Sequence, residues 1–192
     1  MESFLPILFF IGLVLGALVF AGKILFDYIS QIKYQNRLLK ALRNLDITAL
    51  SSTEVTPLCQ DIVNVIEKEL GYFFGAIALL DEKSKGLKRV AISKNPLIET
   101  TLKQFSIEYQ NQKAIPLTEI SNALIQVILD GHQRYTSSLY DIQIGMQPED
   151  VSLKLQSKLG MKGFFIYPLA AKNNVIGVIY FCTLVEKEKL SK

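Results

Sequence analysis

Residues 3–22 read SFLPILFFIGLVLGALVFAG, twenty consecutive positions without a charge. A helix rising ~1.5 Å per residue covers ~30 Å over that stretch, the thickness of a bilayer's hydrocarbon core. Val19-Phe20-Ala21 would pass as a signal-peptide cleavage site, but Glu2 replaces the usual basic start and the apolar run exceeds a normal signal core. The pattern predicts a transmembrane helix over 1–22. Lys23, Lys33, Arg37, Lys40 and Arg43 follow it and only Glu2 precedes it, so the positive-inside rule predicts a single-pass protein of the plasma (inner) membrane. Its N-terminus then lies outside and its C-terminal domain in the cytoplasm.

Within the span, Gly12 and Gly16 form a G-x-x-x-G step that allows close helix approach, against the background that small residues are common in membrane helices. Beyond it, Leu25, Tyr28, Ile32, Gln35, Leu39 and Leu42 fall on a/d positions of three heptads. This predicts a helical linker over 23–50, either a short parallel coiled coil or an amphipathic helix lying on the inner leaflet. A homodimer through the membrane helix, the linker and the first helix of the following domain is the expected assembly.

From residue 51 the pattern becomes mixed. Val55, Leu58, Ile62, Val63, Ile66 and Leu70 recur at helical spacing until Gly71, with Ser51 to Glu54, or Thr56 before Pro57, as candidate caps. Residues 73–80 are apolar on both faces and read as a central strand; 81–86 is a polar turn and 87–93 the returning strand. A short helix is expected over 98–105 and a second one, striped by Ile120, Ala123, Leu124, Val127 and Ile128, ends at Gly131. Residues 134–137 suggest a short strand, 138–148 a loop and 148–159 a helix stopped by Gly160. Two strong strands, 163–169 and 175–183, are joined by a turn carrying Asn173 and Asn174. The predicted class is α+β, helices packed on an antiparallel sheet.

Composition narrows the function classes. The 192 residues carry a net charge of +3, yet residues 44–192 are neutral once the basic segment 23–43 is set aside. A nucleic-acid-binding domain needs its own basic footprint, so no nucleic-acid partner is expected; the basic segment suits membrane topology and anionic headgroups. Eleven Phe argue against a disordered chain, and two isolated cysteines, Cys59 and Cys182, against a disulfide scaffold or cysteine zinc site. His132 has no H-x-x-x-H, C-x-x-C or carboxylate cluster with it, and no G-x-G-x-x-G or G-x-x-x-x-G-K loop occurs. No catalytic, cofactor or metal site is expected.

The element order, closing on Tyr167-Pro168-Leu169, a turn and Val175-Ile176-Gly177-Val178-Ile179, resembles the GAF domain family, regulatory sensor modules of bacterial signalling proteins. Leu70-Gly71 and the segment Tyr135 to Asp141 add to the likeness, which covers residues 51–185 and assigns 51–192 to one sensor domain. Gly177 inside an apolar strand independently suggests a bulge or a close approach of backbone or ligand. Span, linker and GAF-like domain in line resemble the input half of a sensor histidine kinase. The resemblance further implies a C-terminal helix starting near 186–192, which leads to the expectation that the chain is the N-terminal piece of a longer sensor. Alternatives are a ligand-free dimerisation scaffold at the membrane, or the input domain of a cyclase or transcription regulator. A pocket between sheet and helical middle is implied, faced by Tyr135, Ser137, Ser138, Tyr140, Asp141 and Tyr167. The competing reading has Ser137, Ser138 and Asp141 capping a turn while Tyr140 plugs the core.

Overall fold

The computed structural model describes residues 54–105, 113–172 and 174–187, together with Lys23, Ile29, Ile32, Lys33, Asn36 and Lys40, which are helical. The expected membrane span, both glycines of its G-x-x-x-G step and most of the linker lie outside the described residues. Among the described residues, no helix is long and apolar enough to cross a membrane.

Helix α1 (Val55–Leu70) leads into a hairpin of β1 (Phe74–Asp81) and β2 (Gly86–Ile92). Then come α2 (Pro96–Gln104), the two-residue strand β3 (Ile115–Pro116), α3 (Ala123–Asp130), β4 (Arg134–Thr136), α4 (Leu139–Gln143) and α5 (Glu149–Leu159). The long strands β5 (Gly163–Ala171) and β6 (Asn174–Thr183) close the domain. The six strands form one sheet in the order β3-β2-β1-β6-β5-β4, every pair antiparallel. The α+β class expected from the pattern is the observed one.

Local chemistry sets the element ends. Gly71, Gly131 and Gly160 each terminate a helix in the left-handed conformation, where the absence of Cβ removes the steric cost. Asn95 caps α2 through Oδ1, which accepts from Leu97 N at 3.0 Å, with Pro96 preset at the first helical position. Asn122 caps α3 in the same way. The expected Ser or Thr cap for α1 is not used at Thr56: that residue lies inside the helix, the cap position is Glu54, whose side chain makes no capping hydrogen bond to the helix, and 51–53 fall outside the described residues.

Three differences from the sequence pattern stand out. The segment 138–148, expected as a loop, holds the five-residue helix α4, because Ser138 caps it and Leu139 and Ile142, three apart, both bury their side chains. β3 is too short for any periodic signal. The β5–β6 connection is tighter than expected, for the strands continue pairing to Ala171 and Asn174, with Lys172 at φ 50° in the turn.

The sheet buries both faces. One meets α2–α5 through Phe74, Leu87, Phe164, Ile166, Val178 and Tyr180 with Leu124, Val127, Leu139, Ile142 and Leu155 opposite. The other receives α1, whose Cys59 and Val63 pack on Ile77 and Ala91. α1 contacts β1 and β2. The β6–β5–β4 half of that face carries rings instead: Tyr72 stacks on Phe181 at 5.0 Å, Phe181 meets Tyr167 at 6.1 Å, and Tyr135 leans on Phe165 at 5.0 Å. Lys187, just past β6, sets its ammonium 4.9 Å from the centroid of the Tyr135 ring. Lys40 forms an ion pair with Glu69 at 3.3 Å, joining the linker to the last turn of α1.

Candidate functional site

Between the sheet and its helical layer lies a cavity of about 40 Å³, walled by Phe74, Arg89, Ile92 and Tyr180 from the strands and by Ile98, Leu102, Leu139, Ile142, Gln143, Met146, Leu155, Leu159 and Met161 from the helical side. That volume holds a few water molecules and lies far below the several hundred cubic ångströms of a drug-sized ligand site. Ten of the thirteen described residues on its walls are apolar, and the polar ones are Arg89, Gln143 and Tyr180.

Arg89 reaches this cavity because of a β-bulge. Ile77 pairs with Ala91 while Ala78 pairs with Arg89, so Val90 is an extra residue on β2. With one residue inserted, Leu87, Arg89 and Ile92 share the face that carries Phe74 and Tyr180. Arg89 and Ile92 also wall a second, outer hollow of about 260 Å³, completed by Gln60, Val90, Ala91, Lys94 and Glu99. Gln60 holds that rim by donating to Ile92 O at 2.8 Å and to Asn64 Oδ1 at 3.0 Å. Arg89 therefore stands on the wall of both spaces.

Two polar groups on the cavity wall, on Tyr180 and Gln143, keep hydrogen-bonding capacity among the described residues. Tyr180 is 95% buried, and its hydroxyl has no hydrogen-bond partner among the described residues. No fully occluded side-chain polar atom among them lacks a partner, so the hydroxyl opens onto the cavity that the ring lines. Gln143 accepts from Ser152 Oγ through Oε1 at 2.9 Å, which leaves its amide NH2 as the free end. Among the described residues, no carboxylate lines the inner cavity.

None of the six residues singled out in the sequence lines this cavity. Ser138 caps α4, its Oγ accepting from Tyr140 N at 3.2 Å. The Thr136 hydroxyl donates to Asp141 Oδ2 and accepts from Ser138 N at 3.0 Å. The exposed Ser137 offers its carbonyl to Gln156 Nε2 at 2.6 Å. These groups, with Tyr140, gather at the β4–α4 corner. Tyr135 and Tyr167 sit on the opposite, α1-bearing face, since they lie in register with Phe165 and Ile179, which share the face of Ile77. The Tyr135 ring also roofs Gly163, where an added Cβ would lie 2.5 Å from its hydroxyl.

The sequence did carry a signal for Arg89. It stands two residues after Leu87 in a strand, so period two places it on the same face as that buried leucine. Gln143 and Ile142 were hidden because α4 was read as loop.

The other reactive groups are held locally. Burial pushes both the Cys59 and the Cys182 thiol up, away from the thiolate. His132 is tied to Asp130, its N–H donating to Oδ1 at 2.9 Å and its Nδ1 lying 2.7 Å from the carbonyl. Arg134 adds an ion pair to the same carboxylate. Among the described residues, no group of three or more His, Cys, Asp or Glu side chains is placed to hold a metal.

No family model matches the chain, and no curated protein matches it. Solved structures do. The GAF domain of a phosphoenolpyruvate-protein phosphotransferase from Coxiella burnetii aligns with a TM-score of 0.52 at 13% identity, covering 82% of this chain and 86% of that one. The A. aeolicus nlh2 GAF domain in an inactive state gives 0.52 at 13%, covering 84% and 86%. Free methionine-R-sulfoxide reductase from Neisseria meningitidis, in complex with its substrate, gives 0.51 at 14%, covering 79% and 73%. At these identities the likeness speaks for architecture: the described domain has the GAF fold.

Proposed function

We propose that this chain is the membrane-anchored sensory input module of a bacterial signal-transduction protein, the N-terminal part of a sensor histidine kinase. The observation that carries the reading is the order along the chain: an uncharged twenty-residue stretch, a basic segment with helical residues, then a GAF fold. GAF neighbours support a sensory or regulatory module. The basic segment supports a cytoplasmic domain by the positive-inside rule, and its heptad positions support a dimer through span, linker and α1. The module itself catalyses nothing in this reading; it binds a small molecule and passes a helix displacement onward.

Two measurements test it. Reporter fusions after residue 192 and before residue 3 should place the former in the cytoplasm and the latter outside. Reading the coding sequence beyond Lys192 should reveal a phosphoacceptor histidine and an ATPase domain. A domain facing the outside, or a different output such as a cyclase or a DNA-binding module, would sink the kinase assignment.

The small volume of the inner cavity favours a second reading, a ligand-free dimerisation scaffold at the membrane. Native mass spectrometry of the detergent-solubilised chain separates the two: a co-purified small molecule counts against the scaffold, a bare dimer for it.

A further inference from the structure

We infer that the end of the domain at which the chain enters and leaves the sheet rests on an anionic membrane surface. The inference rests on the membrane-anchored reading above and names the face of the domain that meets the bilayer.

Backbone bonds gather four strand ends there. Ser93 N donates to Gly75 O at 2.8 Å, Phe73 N to Cys182 O at 2.9 Å and Lys162 N to Thr183 O at 2.8 Å, so the end of β2, the start of β1, the end of β6 and the start of β5 stand side by side. Lys94, Lys162 and Lys187 are exposed on these ends, and Lys68 is exposed in the last turn of α1 beside them. Lys68 and Lys94 wall one open hollow of about 630 Å³ with Glu67, Tyr72 and Asn95. Among the described residues, Lys68, Lys94 and Lys162 form no ion pair. The acids nearby are Glu67, which accepts from Asn95 Nδ2 at 3.4 Å, Glu69, which is taken by Lys40, and the exposed Glu186.

Leu97, Leu184 and Val185 are exposed at the same end. At the opposite end the β1–β2 turn balances Asp81 and Glu82 with Lys83 and Lys85, and the β5–β6 turn adds Lys172. Lysines interspersed with exposed aliphatic side chains suit a surface of anionic headgroups with the acyl boundary beneath. The neutral total of residues 44–192 thus conceals an uneven distribution.

The Lys40–Glu69 ion pair gives this end its direction. A straight helix from residue 40 to residue 69 would separate the two by ~43 Å, whereas their charged atoms lie 3.3 Å apart. The chain therefore reverses before α1, and the linker meets α1 at its C-terminal end, next to Tyr72 and the strand ends. Lys23 and Lys40, both helical, lie ~26 Å apart along one helix. A linker lying along the leaflet, with the exposed Ile29, Ile32 and Lys33 turned to it, lets the lysine-bearing end reach the headgroups.

The test uses the full chain in lipid nanodiscs, with bimane on Ser137→Cys or on Glu82→Cys and a nitroxide-headgroup phosphatidylcholine as contact quencher. Ser137 is exposed beside the strand ends, Glu82 is exposed in the opposite turn, and both native cysteines are buried. In discs containing phosphatidylglycerol the Ser137→Cys label should be quenched and the Glu82→Cys label spared. In phosphatidylcholine alone, or at high salt, the quenching should vanish. Lys94→Gln and Lys162→Gln should each lower the docked-to-free ratio about fivefold. Circular dichroism verifies folding; should a glutamine variant not fold, the comparison of labels, lipids and salt decides alone. Equal quenching of both labels, quenching indifferent to phosphatidylglycerol or salt, or undiminished docking in the folded glutamine variants would each overturn the inference. Disulfide dimers of Ile32→Cys without lipid quenching would overturn it too, by giving the linker face to a second copy. In each of these cases a cytoplasmic domain in the reporter fusions leaves the sensor reading standing; that reading fails separately, on topology or output.

Discussion

Gly177 pairs with Leu79 across the β1–β6 ladder, and a methyl group placed on Gly177 would stand 2.7 Å from Leu79 Cδ2 and hard against the Ala78 carbonyl oxygen. The closing strand thus needs glycine for interstrand clearance. Gly177→Ala should destabilise the domain by about 1–3 kcal/mol, the usual scale of overpacking. Gly160→Ala meets empty space and suffers only from its φ of 67°, about 1 kcal/mol. Urea denaturation of both variants checks the order; equal costs would refute the clearance argument.

Phe164 and Phe165 are neighbours on β5 with opposite fates. Phe164 is fully buried against Phe74 and the helical layer, whereas Phe165 lies half-buried beside Tyr135. Phe164→Ala should cost about 3–5 kcal/mol. Phe165→Ala should cost clearly less, and a comparison of urea midpoints reads the difference.

Asn122 is fully buried and uses both ends of its amide: Oδ1 accepts from Leu124 N at 2.9 Å, and Nδ2 donates to Ile144 O at 2.9 Å. It caps α3 and ties that helix to the end of α4. Asn122→Ala removes the cap and strands the Ile144 carbonyl, a loss of about 2–4 kcal/mol. Asn122→Asp should fail to rescue, because it restores the acceptor but not the donor.

Asp130 gives a pH effect of fixed sign. The His132 N–H, and then the Arg134 guanidinium, hold its carboxyl below the ordinary carboxylate value. A depressed folded-state pKa contributes stability that is present above the unfolded value and disappears as pH falls through the folded one. Carboxyl-detected NMR should show Asp130 titrating below a free aspartate, and Asp130→Asn should abolish that part of the acid dependence. A normal titration would contradict the contact set.

Cys59 and Cys182 are buried in the two separate cores and burial raises both thiol pKa values. Ellman's reagent should label neither at neutral pH until urea opens the domain. Rapid labelling of Cys182 in the native state would show that the β1–β6 centre is not closed as described.

The pattern of apolar positions carried most of the fold. α1 is legible from its helical period, and the β1–β2 and β5–β6 hairpins from predominantly apolar runs of seven or more residues joined by polar turns. α4 escaped because five residues make barely more than one turn, and Leu139 and Ile142 are its whole periodic signal. The pocket was harder. Hydroxyls clustered between Tyr135 and Asp141 drew attention as ligand groups, yet such residues also cap turns, and Ser138 and Thr136 bond in that way. Tyr135 and Tyr167 could be assigned to a face only once strand register was known, since a shift of one residue exchanges the faces.

The adjacency of β1 and β6 at the centre of the sheet has a mechanical consequence. Phe73 N donates to Cys182 O at 2.9 Å, and Phe74 lies opposite Cys182. The chain therefore enters and leaves the sheet at the same end of two antiparallel neighbours. A pull between Tyr72 and Leu184 would load the ladder one rung at a time, as a zipper is opened, instead of shearing all rungs together. Along this one axis the domain would yield to a smaller force than a sheet whose rungs are sheared together.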